Sequence, residues 1–69
     1  MTDKAISIKA ASLESAADNA IRTGNFGVAL DWLDQAEDLY TTGNMPVDAG
    51  RVRARIEEAE FEQDCEKRG

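Results

Sequence analysis

Histidine is absent from this chain, cysteine and proline occur once each, and no long apolar run is present. Each shortage removes a class of function. Without histidine the common zinc ligand sets cannot be written, and Cys65 has no imidazole to activate it. One thiol cannot form an internal disulfide, and its acidic neighbours Asp64 and Glu66 oppose the thiolate a nucleophile needs. Basic residues are also scarce, 8 against 14 acidic ones for a net charge of −6, which disfavours nonspecific binding to nucleic acid. No stretch approaches the roughly 20 apolar residues of a membrane span. The start, Met1 to Ser7, lacks the basic segment and apolar run of a secretion signal. A lone thiol without such a signal fits the reducing cytoplasm. Nor is there a glycine-rich phosphate loop.

What remains is one small helical domain, residues 1–69, with frayed ends expected at about 1–4 and 67–69. A chain of this size buries only about 60% of its unfolded surface. Lacking staples, it calls for idealised helix packing, or for a partner, to gain stability. The organising stretch runs from Gly24 to Ala36. Gly24 suits the left-handed conformation that closes a helix, and Asn25 suits the cap of the next, its side-chain oxygen accepting from the backbone. Phe26, Ala29, Leu30, Leu33, Ala36 and Tyr40 then recur at helical spacing. Val28, Trp32 and Leu39 form a second stripe, leaving Asp31, Asp34 and Asp38 as a narrow polar strip. Apolar on two flanks, this helix, about 26–42, belongs in the middle.

On either side the pattern is similar. Ile6, Ala10, Leu13, Ala17, Ala20 and Ile21 make one face of a helix over about 5–23. Gly43 and Asn44 repeat the stop signal, and Pro46 suits a first helical turn. A third helix over about 46–66 carries Met45, Ala49, Val52, Ile56 and Ala59 along one seam, with Val47, Ala54, Phe61 and Cys65 opposite. Connections this short make neighbours antiparallel. The fold class is therefore all-α, an antiparallel three-helix bundle.

Gly24, Phe26, Ala29, Leu33 and Ala36, preceded by Leu13 and Ala17, resemble the spacing of a tetratricopeptide repeat. There a glycine turn precedes an aromatic residue, and small residues let paired helices pack closely. The chain departs from that pattern at Ala20, where the family has an aromatic, and near Thr41, where it has a proline. Only one repeat fits, over about Leu13 to Tyr40, so the resemblance implies a single hairpin and no array. A hairpin followed by a third helix, with Arg51, Arg55 and Glu58-Ala59-Glu60, is similar to the microtubule-interacting-and-trafficking domain. That resemblance implies grooves that bind short helical peptides.

Chemistry has few candidates. Asp31, Asp34 and Asp38 lie along one helix edge with no convergent second set, which reads as a solvated edge and not a metal site. Arg51, Arg53 and Arg55 point to different sides, and the acidic residues after them repel phosphate, which argues against direct nucleic-acid contact. No catalytic, cofactor-binding or metal-binding residue is assigned, and no enzyme activity is expected. Two surfaces suit partners. Val28, Trp32 and Leu39, rimmed by Asp31, Asp34 and Asp38, fit a basic amphipathic helix of another protein, although core filling between the second and third helices competes for Trp32. The third helix is basic toward its start and acidic toward its end, opposite to the preference of the helix dipole. Two arrangements satisfy it: Asp34 and Asp38 beside the arginines, or two copies packed antiparallel. The second makes a homodimer through Val47, Arg51, Arg55, Glu58, Phe61, Glu62 and Cys65. The expected function is thus an adaptor-like protein-binding module without cofactor. The alternative is a small acidic inhibitor that imitates nucleic acid and blocks a nucleic-acid-binding protein through Asp34, Asp38, Glu58 and Glu62.

Overall fold

Two three-residue turns divide the chain into α1 (Asp3–Arg22), α2 (Phe26–Thr42) and α3 (Pro46–Arg68). The computed structural model describes residues 3–68, with side chains over 4–65. The second helix has the expected bounds. The first begins two residues earlier than the spacing predicts and the third ends two residues later, while residues 1, 2 and 69 of the expected frayed ends lie outside the described residues.

The two turns share the triplet Thr-Gly-Asn but use it differently. In the first, Gly24 is left-handed at φ 84, its N–H donates to Ile21 O at 3.1 Å, and Asn25 N–H donates to Ala20 O at 2.8 Å. This pair of bonds satisfies the last carbonyls of α1. The side chain of Asn25 does not cap α2 as expected. Its amide turns back to donate to Thr23 Oγ1 at 3.2 Å, and only its backbone carbonyl accepts, from Ala29 N–H at 3.0 Å. In the second turn the helix runs one residue further into the triplet, so the left-handed position falls on Asn44, at φ 58, instead of Gly43. Gly43 serves close packing. A Cβ there would lie 3.1 Å from Ile6 Cγ2 and 3.3 Å from the Leu39 carbonyl.

Helix α2 is central, its backbone packed on both α1 and α3, which meet each other mainly through side chains. The result is a long, shallow bundle of 44 × 18 × 12 Å. Alanine makes this possible. Ala10, Ala17, Ala20, Ala29, Ala36 and Ala59 are all buried, and such small side chains let helix axes approach to the short end of the usual range, about 8 Å. They also carry little apolar area, so Leu33 and Val52 are the largest fully buried side chains. On α3 the expected division holds: Val52, Ile56 and Ala59 are buried, whereas Val47, Ala54, Phe61 and Cys65 are exposed.

Two glycine substitutions test this backbone and have opposite signs. Gly24→Ala forces a Cβ into the left-handed region and lowers stability by about 1 kcal/mol. Gly50 lies inside α3, and a Cβ added there would meet nothing within 4 Å, so Gly50→Ala raises stability by about 1 kcal/mol. Thermal melts in dilute solution should move by roughly 4–8 °C in each direction.

Candidate partner-binding surface

Helical spacing puts Val28, Trp32 and Leu39 on the flank of α2 nearest α1. An open groove of about 310 Å³ runs there, lined by Ala16, Asn19, Ala20 and Thr23 from α1, Asn25 from the turn, and Val28 and Trp32 from α2. No lining residue is charged. The wall from α1 is low because Ala16 and Ala20 are small. Its Thr23 hydroxyl is tied to the backbone, with Oγ1 3.0 Å from Ala20 O. Val28 is 46% exposed, while Trp32 and Leu39 are half-buried against the core. The indole thus sits beside α1, not between α2 and α3 as its core-filling role implied. The α1 wall was not foreseen, since alanines on a helix face signal packing and not the edge of a groove.

The aspartates take a different place. Asp31, Asp34 and Asp38 are exposed, but Asp31 and Asp34 line a second cleft, of about 370 Å³, with Leu30, Arg53, Ile56 and Glu60 between α2 and α3. Asp31 and Asp34 therefore border the Trp32 stripe from the side away from α1.

The basic half of α3 is engaged mainly by α1. Glu14, only 7% exposed, is the one buried charged side chain among the described residues. Its Oε2 accepts a hydrogen bond from the Tyr40 hydroxyl at 2.9 Å and another from Arg51 at 3.1 Å, and its Oε1 lies 3.6 Å from Arg55. Arg55 also pairs with Asp18, and Arg51 pairs with Asp48 at 3.3 Å while standing 5.8 Å above the Tyr40 ring. Arg53 points the other way, to Glu37 at 3.7 Å. Arg51 and Arg55 thus pair with Glu14 and Asp18 of α1 in place of the expected Asp34 and Asp38, because their i, i+4 spacing on α3 faces the same spacing on α1. Every buried side-chain nitrogen and oxygen among the described residues has a partner. Burial pushes the Tyr40 hydroxyl above its ordinary pKa of 10.0, and the Glu14 carboxylate raises it further by accepting its proton and repelling the phenolate; Arg51 partly opposes both.

The remaining candidate residues fall into two sets. Val47, Phe61 and Cys65 occupy the outer face of α3. Glu58 and Glu62 line a cleft of about 170 Å³ with Asp18, Ile21, Arg55 and Ala59, where α3 borders α1. Among the described residues no group of three or more carboxylates or thiols is arranged to hold a metal ion, and no helix is long and apolar enough to cross a membrane. Compared with protein-family models, curated proteins and solved structures, the chain matches none.

Proposed function

We propose that this chain is a non-enzymatic interaction module whose α1–α2 groove receives the apolar face of a helix from a partner protein. The observation that carries the reading is the groove itself: an uncharged trough with small side chains on one wall and a half-buried indole on the other. Small residues let a second backbone come close, and tryptophan is a rigid anchor enriched where binding energy concentrates. The exposed Asp31 and Asp38 beyond Val28 favour a partner with basic residues at the margin of its apolar stripe.

Val28→Asp is the cleanest test, because Val28 is already nearly half exposed and its replacement leaves the core intact. Immobilised wild-type chain should capture a partner from extract of its native host, and Val28→Asp should lower that capture at least about tenfold with helicity unchanged. Trp32→Ala should act in the same direction. Capture unaffected by Val28→Asp, together with loss of the fold in Trp32→Ala, would remove the reading. The acidic-inhibitor alternative draws support from the exposure of Asp34, Asp38, Glu58 and Glu62. It differs in predicting capture that collapses as salt rises and on charge reversal at those four positions, whereas an apolar groove responds little to salt.

A further inference from the structure

Among the described side chains, those over 4–65, the last buried one on α3 is Ala59, yet the helix continues to Arg68. Along its outer side Val47, Ala54 and Phe61 recur every seven residues and all are exposed, Val47 at 84% and Phe61 at 69%. A seven-residue repeat keeps one stripe in line over four turns, as a helix needs in order to stay in contact with another helix. Gly50 lies one turn before Ala54 and weakens the helix interior. A Cβ at that position would touch nothing within 4 Å, so the missing side chain has no packing purpose inside the chain. Against a second helix, glycine followed by alanine one turn later allows the two backbones to approach closely.

Charge selects the occupant and its direction. Within α3 three arginines precede Ile56, and five carboxylates follow it before Cys65. Two parallel copies of α3 would set like charges together; two antiparallel copies set each basic half beside the other's acidic half. Arg51 and Arg53 retain 53% and 59% side-chain exposure after their pairing within the chain, so both remain available to a neighbour.

We propose that a second copy of this chain covers this face, the two α3 helices crossing antiparallel at Ala54 so that Val47 of each copy lies beside Phe61 of the other. The proposal stands apart from the α1–α2 groove, since it concerns a different helix and its test does not involve Trp32.

Sedimentation equilibrium of the full chain should show two chain masses at low salt, falling to one in Ala54→Glu and equally in Ala54→Lys, with helicity unchanged because Ala54 is exposed. Loss in both variants identifies contact at this point, and not net charge, as the cause. Cys65, the single thiol, reports direction. In the antiparallel pair, spin labels on the two Cys65 thiols stand on opposite sides of the crossing, about 33 Å apart along the helix axes, against roughly 10–20 Å in a parallel pair. A chain that stays monomeric at millimolar concentration overturns the proposal and leaves this face to a different protein. A dimer that survives both Ala54 variants, or labels at the short distance, overturns it as well.

Discussion

Leu33→Ala should remove about half or more of the stability of the fold. A domain of this size has a total stability of about 3–10 kcal/mol, from the usual 0.05–0.15 kcal/mol per residue. Replacing a fully buried leucine by alanine costs about 2–5 kcal/mol, the higher values applying where the surroundings cannot close over the cavity. Leu33 is fully buried in a core of which Ala29, Ala36 and Ala59 are also part. Alanine has no side-chain torsion with which to swing a group into the vacated space, so the hole persists. The core is unusually dependent on this one residue because so much of the rest is methyl groups. Urea unfolding followed by helical circular dichroism should show the midpoint reduced by half or more with little change in slope. Val28→Ala, on the exposed stripe of the same helix, should shift stability by less than about 0.5 kcal/mol. Similar midpoints for Leu33→Ala and wild type would mean that the core is not where the structure puts it.

Much of this architecture was legible in the residues. The recurrence of Phe26, Leu33, Ala36 and Tyr40 at helical spacing marks α2, and its second stripe through Val28, Trp32 and Leu39 marks it as the helix with two neighbours. Met45 to Ala59 against Val47 to Cys65 separates the inner and outer faces of α3 with no tertiary information. What was not legible depends on how helices rotate against one another. Glu14 falls four residues after Ala10 and three before Ala17, squarely within the apolar face, but a carboxylate there reads as tolerated polarity until Tyr40, Arg51 and Arg55 are seen to converge on it. Arg51 and Arg55 fit Asp34 and Asp38 equally well on paper, and only the approach of α1 to α3 assigns them to Glu14 and Asp18. The turns show the same limit at smaller scale. Two identical triplets place their left-handed residue at Gly24 in one case and Asn44 in the other, because Ile6 packs where Gly43 is and the helix before it runs one residue further. For the groove, the stripe on α2 was visible, whereas its second wall of Ala16, Asn19 and Thr23 required the packing of α1.

Glu14→Ala should cost about 2–3 kcal/mol, the second large effect expected from a single side chain. Removing the carboxylate takes an acceptor from the buried Tyr40 hydroxyl and leaves two arginines without their common anion. The loss stays below that of a fully enclosed ion pair, because Arg51 and Arg55 are 53% and 30% exposed and recover part of their hydration. Tyr40→Phe breaks the same network from its other side. Since Tyr40 and Glu14 share one hydrogen bond, the double variant Glu14→Ala with Tyr40→Phe should be more stable than the two single losses combined predict, by about 0.5–3 kcal/mol. The network also has a signature in pH. The folded-state pKa of Tyr40 is raised, so its contribution is complete below pH 10.0 and is lost as pH rises through the raised value. Urea midpoints measured from neutrality to about pH 11 should therefore fall at the alkaline end for wild type and fall less for Tyr40→Phe. Equal alkaline slopes in the two proteins would show that Tyr40 lacks the raised value that its burial beside Glu14 gives it.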